Sequence, residues 1–378
     1  MGHLSTFDGG GAGGRRIAPG AAPATVNAVW RAHRGAGPAP VHVPTIRYLF
    51  MSEFPSPAVG RQVPIRHALT LPSPGPIPFS VEFMPPRDDA AEERLLRAAE
   101  AFHDLGAAFA SVTYGAGGSS RDRTLRIAER VSRQPLTTLV HLTLVGHTVD
   151  ELRTILRSYL ERGLTNLLVL RGDPPGDPLG DWVPTEGGLN YASDLIELIR
   201  SEEEFADFEI GIASFPESHY RAKSVEDDTK YTLAKLRAGA EYSITQMFFD
   251  VEHYLRLRDR LAEVDPEQAE KPIIPGLMPI TSLRSVRRQL ELSGSKLPSA
   301  LEDRLVGAAA GDEEANRADI RKVGIEVSTE MADRLISEGV PGIHFMTLNF
   351  ARATQEVLHN LGMAPAWGSG QDMVRGGF

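Results

Sequence analysis

Residues 148–173 read TVDELRTILRSYLERGLTNLLVLRGD, and this stretch carries the pattern that decides the fold. Thr148 and Glu151 form a capping box, and Leu152, Ile155, Leu156, Tyr159 and Leu160 recur at helical spacing on one face. Gly163 then suits the left-handed residue that ends a helix, and Asn166 to Leu170 is a short apolar run fit for a buried parallel strand. Arg171-Gly172-Asp173 puts charge where that strand should stop.

The same joint recurs along the chain. HDLG-AAFASVT turns at Gly106, LRAG-AEYSITQ at Gly239 and ISEG-VPGIHFM at Gly339. About eight apolar runs result: Phe79 to Phe83, Ala108 to Thr113, Thr137 to Leu144, Asn166 to Leu170, Glu209 to Phe215, Tyr242 to Phe248, Ile273 to Met278 and Ile343 to Leu348. Strict alternation of strand and helix over roughly 300 residues suits an α/β fold of the (β/α)8 TIM barrel type. A doubly wound open sheet is the alternative. It needs a glycine fingerprint after an early strand, and the full G-x-G-x-x-G match, Gly9, Gly11 and Gly14, has no strand before it.

Composition sets the outer limits. The 378 residues carry 40 Lys plus Arg against 50 Asp plus Glu, a net charge of −10, with no Cys. That balance disfavours a nucleic-acid partner, which needs a basic face. Zero Cys removes thiol nucleophiles, disulfides, thiolate zinc and cysteine-held iron–sulfur clusters, so redox chemistry would require an organic cofactor or a non-thiolate metal. No apolar run is long enough to span a bilayer, and the start lacks a signal-peptide core. A cytoplasmic protein with no membrane partner is expected.

The charge is unevenly spread. Residues 1–78 hold seven Arg against Asp8 and Glu53, a charge of +5, which leaves −15 for the other 300 residues. This Gly/Ala/Pro-rich segment has little apolar periodicity and reads as a largely disordered N-terminal leader, with Met51 an alternative start. Residues 79–364 form the expected catalytic barrel, and 365–378 a flexible C-terminal tail.

In a barrel of this kind chemistry gathers where strands run into the following loops. Those junctions offer Glu82, Thr113, His141, Arg171-Gly172-Asp173, His219, Gln246 and Asn349. Glu82 lies among apolar residues, where a carboxylate is costly unless paired or protonated, so it is either functional or part of a structural ion pair. Asp173 either meets a ligand or starts a turn. His141 alternates within its strand as an interior histidine would. Gln246 shares a side with Ile244, so its amide must bond ligand or backbone. GAGGSS after Tyr114 is a weak sign of a close ligand approach. Phe248 and Phe249 read as core. Metal binding lacks support: there is no H-E-x-x-H, and His141 with His147 lacks a third ligand. No G-x-S-x-G elbow occurs. Two junction carboxylates, one a proton donor and one kept charged, would make an enzyme.

Taken as an ordered set, FSVEFMPPR, ASVTYGAGGSSRDRT, HLT, LRGDPP, YASDLI, SFPESH, ITQMFFD, IPGLMPI and HFMTLN closely resemble the methylenetetrahydrofolate reductase family over Phe79 to Met363. The resemblance implies a TIM barrel that binds FAD and, by a ping-pong route, uses NADH or NADPH to reduce 5,10-methylenetetrahydrofolate to 5-methyltetrahydrofolate. That reaction belongs to one-carbon metabolism and methionine biosynthesis. It implies that Glu82 is the general acid for the folate N10, Asp173 the carboxylate beside flavin and pterin, and Gln246 a folate contact. It implies FAD contacts at Thr113, His141, Arg171, Gly172, Asp173, Tyr191, Ala192, Phe215, His219, Asp228 and Lys235; by spacing alone Asp228 and Lys235 read as a solvated helix face. A homo-oligomer is also implied.

Three positions depart from the family pattern. Phe215 replaces the usual tyrosine, Phe350 stands where an arginine contacts folate, with Arg352 a substitute from another angle, and Gln289 stands where some members stack a phenylalanine. These departures keep two other readings open: a flavin-dependent barrel oxidoreductase with a different acceptor, and a folate- or flavin-binding barrel with little turnover.

Overall fold

A computed structural model describes residues 62–114, 121–174 and 180–366. Met51, the greater part of the expected leader, the GAGGSS loop and the tail beyond 366 lie outside them. In chain order the strands are β1 (Phe79–Phe83), β2 (Phe109–Val112), β3 (Thr137–Thr143), β4 (Asn166–Leu170), β5 (Glu209–Ser214), β6 (Tyr242–Thr245), β7 (Ile273–Ile274), β8 (Gly276–Leu277) and β9 (Ile343–Met346). The helices are α1 (Ile65–Ala68), α2 (Asp89–Asp104), α3 (Arg121–Ser132), α4 (Val149–Leu160), α5 (Ala192–Ser201), α6 (Val225–Arg237), α7 (Val251–Val264), α8 (Pro266–Ala269), α9 (Leu283–Ser293), α10 (Ser299–Ala309), α11 (Arg317–Ser337) and α12 (Ala351–Asn360).

Every ladder is parallel, and the order runs β7-β6-β5-β4-β3-β2-β1-β9-β8. β7 and β8 are two halves of one barrel strand, split at Pro275, which has no N–H to give a ladder. Ile273 and Ile274 pair with Ser243 and Ile244 on β6, whereas Gly276 and Leu277 pair with His344 and Phe345 on β9. The ring thus closes as the expected (β/α)8 barrel. The anticipated joint glycines take the left-handed backbone, with φ of +80° at Gly106, +68° at Gly163, +119° at Gly239 and +73° at Gly339. Thr148 and Glu151 make the expected capping box at the start of α4.

Strand alternation sorts the side chains. Val81, Ala110, Val140, Leu167, Ile210 and Phe345 face the helices and join the large outer core. Phe109, Leu139, Leu168, Tyr242, Ile244 and Ile274 fill the barrel interior. Ile65 joins that interior cluster, so α1, within the segment read as leader, is built into the barrel. Its amides at Ile65 and Arg66 donate to the Glu209 carboxylate, and the Arg66 guanidinium pairs with the same group at 2.9 Å. Polar spacing and proline had obscured this short helix in the sequence. A third cluster, including Met278, Ile280, Val286, Leu305 and Val327, packs α9, α10 and α11 together beyond β8.

Candidate active site

Inward positions on β1 are Ser80 and Glu82, and the alternation that places Val81 in the outer core points both into the barrel. Glu82 Oε2 lies 3.7 Å from His141 Nε2 on β3 and 3.9 Å from His344 Nε2 on β9. The His344 ring is fixed: Ser80 Oγ bonds Nδ1 at 2.8 Å, Ser111 Oγ bonds Nε2 at 3.2 Å, and Phe109 stacks on it with centroids 5.6 Å apart. Burial pushes the Glu82 carboxyl upward, but the two imidazoles outweigh it and hold the group below its usual range. Burial chiefly lowers His141 to about 4, although Glu82 pulls the other way, so its ring is neutral at neutral pH. Its Nε2 is buried and makes no hydrogen bond.

The TLN motif fixes the backbone that carries Glu82. Thr347 Oγ1 donates to the Glu82 carbonyl at 2.7 Å. Asn349 accepts from Met84 N and donates to Met84 O, both at 2.8 Å. Leu348 and Asn349 adopt φ of +51° and +67° to make that turn. Asn349, a junction candidate by sequence, thereby serves as a latch from β9 to β1.

At the end of β4, Gly172 has φ +87°, and a Cβ there would come within 2.5 Å of Val145 Cγ1 and 2.9 Å of Thr143 Cβ. Only glycine allows this turn, which carries Arg171 and Asp173 on either side. The Arg171 guanidinium lies 4.7 Å over the Trp182 ring. Burial and the Arg221 charge both lower its pKa. Burial raises Asp173 above the usual carboxylate range, against the pull of Arg171 and Arg221.

The next junction assembles a cationic wall. Phe215 meets His219 edge to face at 4.6 Å. His219 N donates to Asp228 Oδ1 at 3.2 Å, and Arg221 N donates to His219 Nδ1 at 3.0 Å. Burial, then Arg171, Lys235 and Arg221, drive His219 down to about 4. Lys235 donates to Ala213 O at 2.6 Å and is lowered to about 8, chiefly by burial. Asp228 is buried, with Oδ2 making no hydrogen bond. A solvated helix face is therefore not what Asp228 and Lys235 form. Three cations, Arg171, Arg221 and Lys235, act on one another and on His219 across this wall, which suits an anionic ligand.

The remaining candidates are spread around the strand ends. Thr113 N donates to Phe83 O at 2.9 Å, and its carbonyl accepts from Thr124 Oγ1. Tyr191 is exposed and leads into α5, which Ala192 starts as a buried residue. Gln246 N donates to Ser214 O at 2.8 Å, while its Oε1 accepts from Met247 N at 2.9 Å. Phe248 and Phe249 are core residues. Gln289 is half-buried on α9.

Arg352 is not gathered with this group. It pairs with Glu356 at 3.0 Å and lines a groove with Arg321 and Lys322 between α11 and α12, while Phe350 before it is exposed. Sequence reading passed over His344, Ser80 and Ser111. The available signal was a polar residue at each inward position, which period-two counting would have exposed. Among the described residues, no three His, Asp or Glu are placed to hold a metal ion.

The sequence and the fold have counterparts among known proteins. The family model for methylenetetrahydrofolate reductase matches residues 69–362. The 5,10-methylenetetrahydrofolate reductase of Escherichia coli (strain K12) is 38% identical over 295 residues, covering 77% of this chain and 93% of that protein. Methylenetetrahydrofolate reductase 1 of Schizosaccharomyces pombe is 32% identical over 289 residues, covering 76% of this chain and 46% of that protein. Among solved structures, an uncharacterized Clostridium thermocellum protein that binds two copies of 5-methyl-5,6,7,8-tetrahydrofolic acid superposes with a TM-score of 0.53. It is 16% identical and covers 79% of this chain and 97% of that one, a likeness of fold. With the motif set, the barrel and the length of these matches in agreement, the chain belongs to the methylenetetrahydrofolate reductase family.

Proposed function

We propose that this protein reduces 5,10-methylenetetrahydrofolate to 5-methyltetrahydrofolate in the one-carbon metabolism that supplies methionine, with FAD as its bound redox group and NADH or NADPH as reductant. The observation that carries the reading is the inward Glu82 carboxyl held between His141 and His344 at the barrel mouth. An inward carboxyl there is placed to hand a proton to a ring nitrogen once bound substrate restores its protonated form.

The residues present fit a flavin dinucleotide. Arg171, His219 and Lys235 suit a diphosphate, and Asp228 Oδ2 is a buried acceptor without a partner, as a sugar hydroxyl requires. The unbonded His141 Nε2 suits a polar ring edge. A bound flavin supplies hydride transfer from nicotinamide to the folate methylene carbon in two separate half-reactions. Glu82 delivers a proton to the folate N10, which opens the five-membered ring to an iminium. Substrate covering the mouth adds to the burial that already pushes the Glu82 carboxyl upward, which favours the protonated form. Asp173, whose carboxyl Arg171 and Arg221 pull toward the charged form against its burial, faces the cationic carbon, and Gln246 orients the pterin. Thr113, Gly172, Tyr191, Ala192 and Phe215 would line the flavin.

The engagement of Arg352 with Glu356 favours one variation, in which the acceptor is bound without an arginine at that corner. Anaerobic spectroscopy separates the two. A yellow protein bleached by NADH or NADPH and reoxidised by methylenetetrahydrofolate supports the main reading; bleaching without reoxidation selects another acceptor. A colourless protein that cannot be reconstituted with FAD removes both. Light scattering tests the homo-oligomer that accompanies this proposal.

A further inference from the structure

The β5–α6 loop carries two residues of the cationic wall side, Phe215 and His219, through a turn in which Ser218 has φ +109°. A side chain rarely adopts that backbone, so neighbouring contacts must hold it. One neighbour is the Asp228 carboxylate beneath His219 N. The other comes from a different part of the chain. Glu217 accepts from the Lys296 amide with both oxygens, at 3.1 and 3.4 Å, just past the end of α9. His253 on α7 faces the same carboxylate, Nδ1 to Oε1 3.6 Å. Tyr220 packs over Gly294, and Ser295 Oγ donates to Met247 O at 3.3 Å. The two loops thus meet along a narrow cleft lined by Phe215, Glu217, Gln246, Met247 and Gly294.

We propose that Glu217 is a positioning residue: its carboxylate ties the β5–α6 loop to the main chain at Lys296, and so holds Phe215 and His219 on one side of the cleft in register with Gln246 on the other. The mechanism gives Glu217 no contact with a reacting atom. It acts through the strained turn it holds, and it links the end of α9 to the flavin side of the site. One amide shared between two carboxylate oxygens at 3.1 and 3.4 Å is an exposed tie of ordinary strength, about tenfold in a local opening equilibrium. The inference rests on the flavin reading only for the ligand consequence; the tie itself is a property of the free protein.

Hydrogen exchange on the full chain, with and without FAD, tests it using Glu217→Ala, Glu217→Gln and Lys296→Ala. In the free protein, Glu217→Ala is expected to raise exchange about tenfold in both 215–221 and 293–297, with FAD affinity falling by a similar factor. Glu217→Gln, which keeps an acceptor oxygen, restores most of both effects. Lys296→Ala changes neither, because the donor is the backbone amide. Weakened FAD binding with unchanged exchange at 293–297 would overturn the proposal, as would Lys296→Ala reproducing the loss. If Glu217→Ala fails to fold, Glu217→Asp, whose carboxylate is one methylene short of the Lys296 amide, is expected to raise exchange in both segments, and unchanged exchange there overturns the proposal. If the wild-type chain does not bind FAD, the flavin reading falls while coupled exchange in the two segments still decides the tie.

Discussion

Glu82 on β1 and His344 on β9 face one another across the join of the barrel, Oε2 to Nε2 3.9 Å, with the imidazole pinned by Ser80 and Ser111. Since the imidazoles hold the Glu82 carboxyl down against burial, His344→Gln should raise it. The protonated fraction of Glu82 then persists to higher pH, and the alkaline limb of the folate half-reaction moves upward. Stopped-flow pH profiles of the two half-reactions check this; an unmoved limb would show that His344 does not govern Glu82.

Glu82→Gln should slow folate reduction by about 10²- to 10⁴-fold, the usual contribution of a positioned acid, while nicotinamide still bleaches the flavin. Equal loss in both half-reactions would make Glu82 a structural residue.

Gly172→Ala should destabilise the fold by about 2 to 4 kcal/mol, from a left-handed backbone plus overpacking against Val145 and Thr143. Chemical denaturation measures it. The turn that holds Arg171 and Asp173 shifts with it, so FAD affinity should fall as well.

Lys235 at about 8 and His219 at about 4 both lie below their ordinary values, through burial first. A bound diphosphate favours their charged forms, so FAD binding should take up protons, and affinity should fall as pH rises through about 8. Folding alone has the opposite sign. Between pH 8 and 10.5 the unfolded chain holds a proton on Lys235 that the folded chain lacks, so this group makes stability rise with pH in that window. His219 likewise makes stability fall as pH drops from 6.5 toward 4. Calorimetric titration across pH 6 to 10, with and without FAD, separates the two effects.

Glu209→Ala should cost about 2 kcal/mol, because the Ile65 and Arg66 amides and the Arg66 guanidinium lose a shared acceptor. Turnover should stay unchanged, since α1 enters the barrel from the strand beginnings, away from Glu82.

Much of the barrel was legible because its rules are local. A glycine ending a helix and a β-branched run after it are decided within a few residues, and Gly163 with Asn166–Leu170 behaves as that reading requires. Glu82 and Asp173 were legible as candidates because charge at a strand end is conspicuous. What remained hidden depends on distant partners. Nothing beside His344 in the sequence announces Ser80 and Ser111 around its ring, the pairing of Arg352 with Glu356 is one of several open to an exposed arginine, and Ile65 shows no partner in sequence for Glu209. Pro275 interrupts an apolar run without ending it, because the two halves find different neighbours.

That interrupted strand makes the closed ring a hoop with a clasp. On each side only two residue pairs fasten it, one pair of rungs toward β6 and another toward β9, and His344 sits on the second. Parting of the rungs toward β9 would loosen the strand that carries His344, whose imidazole faces Glu82. The break at Pro275 and the Glu82 carboxyl thus meet on one strand, β9, which pairs with β8 on one side and β1 on the other.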